Sequence, residues 1–201
     1  ELATIEFNAH GPEWKHASQK TATVKVTDLP EVAGKRFTCL LPVPNTNGGE
    51  IRFVQTVRQQ PRGFGLEYDL LMTQDMKLNG VQVSFFLPVA QYTGQEMVVS
   101  RPEGDPEVIA LPEEQGEGGF QLWRGDGAKV EMAKGTPNAM TIELRAPADV
   151  VIQDLRQWER DVFEVRFPAI MEDPGREVFA GDRLHLDLTV TLTEAVETSG
   201  P

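Results

Sequence analysis

The sequence predicts an all-β protein, a two-sheet antiparallel β-sandwich of about a dozen strands. The first observation is the stretch from Leu184 to Leu192, LHLDLTVTL, where apolar and polar residues alternate without a break. Such period-two alternation lets a strand bury one face and expose the other. The second observation is that similar segments recur at spacings of roughly 8–12 residues with turn residues between them, as in sandwiches and barrels.

Alternating or β-branched segments mark the strands of the first half of the chain. Residues 8–16 form a predicted loop that carries Trp14. Asn79-Gly80 predicts a tight hairpin turn, because both residue types tolerate positive φ. The predicted strands are residues 5–7, 21–27, 35–41, 51–58, 64–72 and 81–87.

The second half continues this pattern around one irregular region. Residues 101–119 are rich in proline, glycine and glutamate, which predicts a surface excursion around one short strand. Residues 124–127 and 172–176 are predicted turns, and only residues 153–158 could form a helical turn. The predicted strands are residues 95–100, 108–111, 120–123, 128–132, 140–145, 150–153, 162–167 and 184–192.

Length and composition restrict the class of protein. The 201 residues suit a single β domain over residues 1–193, followed by a tail or linker at 194–201. The net charge of −12 repels nucleic acids and anionic membranes, so neither is expected as a partner. The single cysteine, Cys39, lies in an apolar run and is expected in the core. The chain starts at Glu1 with no signal peptide, which suggests a processed or excised piece of an extracellular or periplasmic protein.

The densest polar cluster in the sequence is QDLRQWERD, which begins at Gln153. It combines Trp158 with Gln153, Asp154 and Arg156. An indole face can stack on a sugar ring while amide, carboxylate and guanidinium groups bind its hydroxyls. The alternative is structural: Asp154 and Arg156 pin a strand crossover, and Trp158 caps the edge of the core.

The three tryptophans extend this hypothesis. Trp14, Trp123 and Trp158 lie in or beside predicted loops and strand ends, and Trp123 is followed by Arg124. Indoles at such positions favour a binding surface, although each alone also suits core or edge packing. The interpretation therefore depends on at least two of the indoles converging on one face.

Metal and catalytic motifs are weak. His10, Glu13 and His16 lack the helical spacing of a zinc enzyme, and no metal-ligand set is predicted from them. The acidic turns at Asp173 and Asp182 could hold a structural calcium, and no other cofactor is expected. The sequence has no Gly-x-Ser-x-Gly, phosphate loop or dinucleotide fingerprint, and no carboxylate pair stands out, so no catalytic residue is predicted.

Three segments resemble β-sandwich domains attached to bacterial polysaccharide-degrading enzymes. They are the run from Gly63 to Leu87, the QDLRQW segment and the closing AGDRLHLDLTVTL strand. The overall succession of strands and turns is similar to that of the supersandwich of galactose-mutarotase-like proteins. The resemblance implies a two-sheet sandwich with a carbohydrate-facing surface. It carries over no catalytic residue, because the histidines and glutamate of the mutarotase pattern have no clear counterpart.

The expected function is a non-catalytic carbohydrate-binding or accessory module of a secreted glycoside hydrolase. Its expected partners are a neutral polysaccharide or oligosaccharide and an adjacent catalytic domain. One alternative is a structural module that packs against a catalytic domain and has no ligand of its own. A further alternative is a sugar epimerase or lyase.

Overall fold

A computed structural model of the protein describes residues 2–116 and 119–192, and about two thirds of these residues are in strands. Short helical turns occur at Pro12–Trp14, Gln19–Thr21, Val89–Tyr92 and Arg156–Trp158. The strands β1 to β13 are, in order, Thr4–Gly11, Lys15–Ser18, Thr23–Asp28, Gly34–Pro42, Glu50–Gln60, Gly63–Met72, Met76–Pro88, Glu96–Ser100, Glu107–Ala110, Gln121–Met132, Met140–Asp154, Val162–Val178 and Arg183–Leu192.

All 13 strands belong to one antiparallel sheet. The main path runs β2-β1-β7-β12-β11-β13-β6-β5-β4-β3, and β10, β8 and β9 branch from β11. The all-β class and the antiparallel pairing are therefore confirmed. The predicted division into two sheets is not confirmed, because the sheet stays continuous through β11 and β13 and curls into a half-barrel.

An aromatic cluster fills the inside of the curl. The rings of Phe7 on β1 and Phe53 on β5 lie 4.7 Å apart, and Tyr68 on β6 lies 5.9 Å from Phe7. Strands β1 and β5 are far apart in the strand order, so only curling of the sheet can bring these rings together. Burial raises the pKa of the Tyr68 phenol, whose oxygen accepts a hydrogen bond from Gln55 Nε2 at 2.6 Å.

The four strands β1, β7, β12 and β11 have one apolar face and one polar face. Their apolar residues, such as Phe7 and Phe85, point into the core. The polar residues at the positions between them point to the other face of the sheet, and these residues are also buried. The buried polar residues of this face are Glu6, Asn8, Gln82, Ser84, Gln153 and Glu164. A buried polar face is unusual for a sheet and marks the position of the candidate site.

Two predicted turns are wrong because their residues lie inside strands. Asn79-Gly80 lies inside β7, where Gly80 pairs with β1 and with β12. Asn79 donates from Nδ2 to the Glu172 carbonyl at 2.9 Å, so its amide serves a cross-strand contact instead of a turn. Residues 172–176, a predicted turn, instead form a register shift within β12.

Residues 124–127, also a predicted turn, lie inside β10, which continues through a register shift near Gly127. Strand β2 was not predicted at all: Lys15 and His16 were assigned to the loop at residues 8–16, and Ala17 and Ser18 to no element. Residues 8–11 of that predicted loop belong to β1. The closing strand β13 does alternate, with Leu188 and Val190 buried and His185 exposed. Cys39 is buried, as expected. The predicted tail at 194–201 lies outside the described residues.

Candidate functional site

One wall of the site comes from the β1–β2 hairpin. His10 pairs directly with His16 across the hairpin, and their rings lie 5.2 Å apart. The connecting turn carries Trp14, whose ring lies edge-on to His10 at 5.6 Å. Glu13 and Trp14 both have positive φ, of 63° and 57°. This left-handed conformation is costly for residues other than glycine and is found most often at functional sites.

The opposite wall follows β11. The helical turn Arg156–Trp158 ends at Glu159, which has a φ of 58°. Trp158 packs edge-on against Phe120, with 5.3 Å between the ring centroids. Arg160 follows, and its guanidinium lies 4.3 Å above the Phe86 ring.

The two walls enclose a cleft of about 600 Å³. Trp14 and Trp158 both line it, and they are 37% and 53% exposed. Two of the three tryptophans therefore converge on one cleft, as the binding hypothesis required. The other lining residues are His10, His16, Phe120, Gln153, Leu155, Arg160 and Arg166.

The polar face of the sheet forms a hydrogen-bonded layer beneath the histidines. His16 donates from Nε2 to Asn8 Oδ1 at 2.9 Å, and Gln82 Nε2 lies 3.5 Å from His10 Nδ1. Arg166 binds Glu164 through two hydrogen bonds of 2.8 and 3.2 Å. The first two contacts give each imidazole one side-chain partner on the sheet, and both rings line the cleft.

The surroundings of both imidazoles disfavour the protonated form. Burial, assisted by the charges of His16 and Arg166, lowers the pKa of His10 to about 4. Burial also lowers the pKa of His16, although Glu6 opposes this effect and Arg160 adds to it. A neutral imidazole both donates and accepts hydrogen bonds, which suits binding of hydroxyl groups.

Asp154 and Arg156 do not project into the cleft. Asp154 is 2% exposed and binds the Arg156 guanidinium at 2.7 Å. Arg156 also donates to the backbone carbonyls of residues 112, 113 and 114. This is the arrangement of the structural alternative, in which the pair ties β11 to a neighbouring loop. Their role in sugar binding stays a prediction, whereas Gln153 does line the cleft.

Trp123 and Arg124 lie away from the Trp14–Trp158 cleft. Trp123 lines a separate groove beside β9, and its Nε1 donates to Glu107 at 2.8 Å. Arg124 pairs with Asp149 at 2.7 Å. The structure therefore does not bring these two residues together with Trp14 and Trp158, and their assignment to a ligand stays a prediction.

Sequence reasoning did not include His10, His16, Arg160 and Arg166 in the binding site. A signal was available in the strands: Glu6, Asn8 and His10 occupy alternate positions on β1, as do Glu164 and Arg166 on β12. Alternation of this kind normally indicates a solvent-facing side. Only the pairing of β1, β7, β12 and β11 shows that these polar sides form one buried face.

The metal expectations are not tested. Within residues 2–116 and 119–192, the one group of potential ligands is Glu67, Asp69 and His185, which lies on β6 and β13 and away from the cleft. There His185 pairs with Asp69 at 2.7 Å and Glu67 with Arg58 at 2.7 Å. Calcium at the Asp173 and Asp182 turns stays a prediction.

No helix of the described chain has the length and apolar character that a membrane crossing requires.

Comparison with known proteins shows the fold alone. No family model matches the sequence, and no curated protein matches it. Among solved structures, a galactose mutarotase-like protein from Lactobacillus casei ATCC 334 is similar, with a TM-score of 0.57 and 15% identity. The alignment covers 95% of this chain and 85% of that protein. The Slr1438 protein from Synechocystis sp. PCC 6803 has a TM-score of 0.52 and 10% identity, over 95% and 78% of the two chains.

A 4-alpha-glucanotransferase from Thermococcus litoralis is also similar, with a TM-score of 0.54 and 12% identity. The alignment covers 96% of this chain but only 27% of the glucanotransferase, so the present chain corresponds to about a quarter of that protein. The fold is thus a β-rich one that occurs in carbohydrate-related proteins.

Proposed function

We propose that the Trp14–Trp158 cleft binds a carbohydrate and that the protein is a non-catalytic binding or accessory module of a secreted glycoside hydrolase. The convergence of two exposed indoles on one cleft is the observation that carries this proposal. The likeness to a part of a glucanotransferase supports the accessory role, since there the matched region belongs to a much longer chain. An adjacent catalytic domain is the expected partner.

The cleft has the chemistry that sugar binding requires. The indole faces cover the apolar C–H side of a pyranose, and the neutral imidazoles of His10 and His16 exchange hydrogen bonds with its hydroxyls. The Gln153 amide adds a further donor and acceptor at the base. The positive-φ turns at Trp14 and Glu159 fix the backbone beside both indoles, which reduces the entropy lost on binding.

Binding is tested by calorimetry and affinity electrophoresis against a panel of plant and microbial glycans. We expect Trp14→Ala and Trp158→Ala each to weaken binding about 10-fold or more, because each removes one stacking surface. Trp123→Ala is the comparison variant, since it removes an indole outside the cleft: unchanged affinity would confine the site to the cleft, and a loss would extend it to the groove beside β9. Failure to bind any glycan, with both cleft tryptophans still exposed, would favour the structural-module alternative.

The paired histidines favour a second candidate, a sugar epimerase. His10 and His16 face the same cleft with rings 5.2 Å apart, so they could act as a general base and a general acid. In this reading, the two histidines, with Glu164 beneath them, supply the histidine–glutamate pattern that had no clear counterpart in the sequence. Polarimetry of freshly dissolved aldoses decides this: acceleration of anomer exchange that His10→Gln and His16→Gln abolish would establish the enzyme.

A further inference from the structure

The charge of the cleft is opposite to that of the molecule. The chain carries a net charge of −12, yet two arginines, Arg160 and Arg166, line the cleft. Among the residues that the structure describes, no carboxylate lines it. Glu164, which lies beneath, is 1% exposed at its side chain and is already neutralised by Arg166. Among the residues that line the cleft, the one charge without an ion-pair partner in the described chain is therefore that of Arg160.

Arg160 is held in position without an acidic partner. Its guanidinium lies over the buried Phe86 ring, 4.3 Å from the ring centroid, and within residues 2–116 and 119–192 it forms no ion pair. Arg156, four residues earlier, differs in this respect because it is bound to Asp154 and to three carbonyls. A stacked guanidinium keeps its N–H groups free in one plane, and that geometry matches two oxygens of an oxyanion.

We propose that the ligand of this cleft is an anionic glycan, with a carboxylate or sulfate group that binds Arg160. This inference depends on the proposed carbohydrate-binding function and names its ligand class. It replaces the neutral glycan expected from the net charge of the chain, because a ligand responds to the local potential of its site. The negative surface around the cleft repels other anions, so the sugar ring must supply stacking on Trp14 and Trp158 in addition to the charge.

The test compares an oligogalacturonate, a sulfated galactan oligosaccharide and a neutral galactan oligosaccharide of similar length by calorimetry. We expect at least one anionic glycan to bind more tightly than the neutral one. Arg160→Gln should then weaken that anionic glycan about 10- to 100-fold and change neutral binding less than about 2-fold. Comparison of the oligogalacturonate with the sulfated galactan oligosaccharide shows whether Arg160 binds a carboxylate or a sulfate group.

Three controls separate the proposal from general electrostatics. Arg52→Gln removes the same charge from an exposed position on β5, which pairs with β4 and β6, and it should leave affinity unchanged. Arg160→Lys keeps the charge but loses the planar fork, so its affinity should lie between those of the parent and Arg160→Gln. Polyglutamate, an anion without a sugar ring, should not bind.

A second readout does not depend on affinity. A bound anion stabilises imidazolium, so NMR titration should show the pKa of His16 rising on saturation with the anionic glycan and staying unchanged with the neutral one. Equal binding of neutral and anionic glycans, insensitive to Arg160→Gln but lost in Trp158→Ala, would overturn this inference and leave the proposed function intact. Absence of binding to every glycan would overturn both.

Discussion

Two arginines four residues apart have different surroundings and therefore different expected roles. Arg156 has a side chain that is 10% exposed and bound to Asp154, which is 2% exposed. Arg160 is exposed and stacks on Phe86. Removing Arg156 would leave a buried carboxylate uncompensated, whereas removing Arg160 would leave no buried charge behind.

We expect Arg156→Met to lower the free energy of unfolding by about 3–5 kcal/mol, because Asp154 would lose its cation in a buried site. The Asp154→Asn/Arg156→Met double variant should be less destabilised than this single variant, since no buried charge remains. Arg160→Met, the matched control, should change stability by about 0.5 kcal/mol or less. Urea unfolding at neutral pH measures all three. A loss below about 1 kcal/mol in Arg156→Met would contradict a structural role for the pair.

His10 predicts a specific pH dependence of stability. Its pKa is about 4 in the folded protein and about 6.5 when unfolded, so the unfolded chain binds the proton more readily. Stability is therefore complete above pH 6.5 and decreases as the pH falls toward 4. The loss attributable to His10 is on the order of 2–3 kcal/mol.

We expect His10→Gln to flatten this part of the pH profile, since glutamine does not titrate. Urea unfolding of parent and variant at pH 7 and pH 4.5 measures the difference. His16, whose pKa is also lowered, acts in the same direction and leaves part of the slope in place. Glu6 adds its own loss as the pH falls below about 4.5, because burial raises its pKa less than the hydrogen bonds from Ser18 and Lys20 and the Lys20 charge lower it. Parallel profiles for parent and His10→Gln would show that His10 is not buried in the neutral form.

At the scale of single elements, the turns beside the two indoles carry the backbone strain. Glu159 ends the turn after Trp158 in the left-handed region, with a φ of 58°. Glycine adopts this conformation without steric cost. We expect Glu159→Gly to raise the free energy of unfolding by about 0.5–1 kcal/mol, and Glu159→Ala, which keeps the steric cost, to give no gain. Chemical denaturation checks this, and equal stability of the two variants would exclude strain at this position.

The individual strands could be predicted from sequence, but their pairing into one continuous sheet could not. Alternation located most of the described strands, and the exposed His185 face of β13 follows from the pattern alone. The turn predicted at Asn79-Gly80 is wrong, because strand pairing with β1 and β12 outweighs the turn preference of these two residue types. The short strand β2 was missed because only four residues pair there, and they gain their order from contact with β1.

The candidate site could be predicted only in part, for a similar reason. Trp14, Trp158 and Gln153 were recognisable from residue type, and they do share the cleft. Asp154 was grouped with them by its nearness in sequence, although successive residues of a strand, such as Gln153 and Asp154, point to opposite sides. His10 and Arg166 lie on strands that are distant in sequence and adjacent only after folding, so no local pattern could place them beside Trp158.

At the scale of the whole molecule, one continuous sheet predicts one cooperative unit. The aromatic contacts of Phe7 with Phe53 and Tyr68 join distant parts of that sheet across the core. We expect a single unfolding transition for residues 1–193, with coincident far-UV circular dichroism and tryptophan fluorescence. Phe7→Ala should lower the free energy of unfolding of the protein by about 3–5 kcal/mol, and the unfolding should still occur in a single transition. Two separate transitions would show that the chain forms two domains.

The Trp14–Trp158 cleft is assembled mainly from two short stretches, residues 10–16 and 153–166, that rest on a sheet most of whose mass lies elsewhere. Exposed positions within these stretches can vary without disturbing the aromatic interior. The scaffold therefore permits rapid evolutionary change of binding preference with little loss in the free energy of unfolding. A combinatorial library limited to Trp14, His16, Trp158 and Arg160 would retain folded members while altering which glycan is selected.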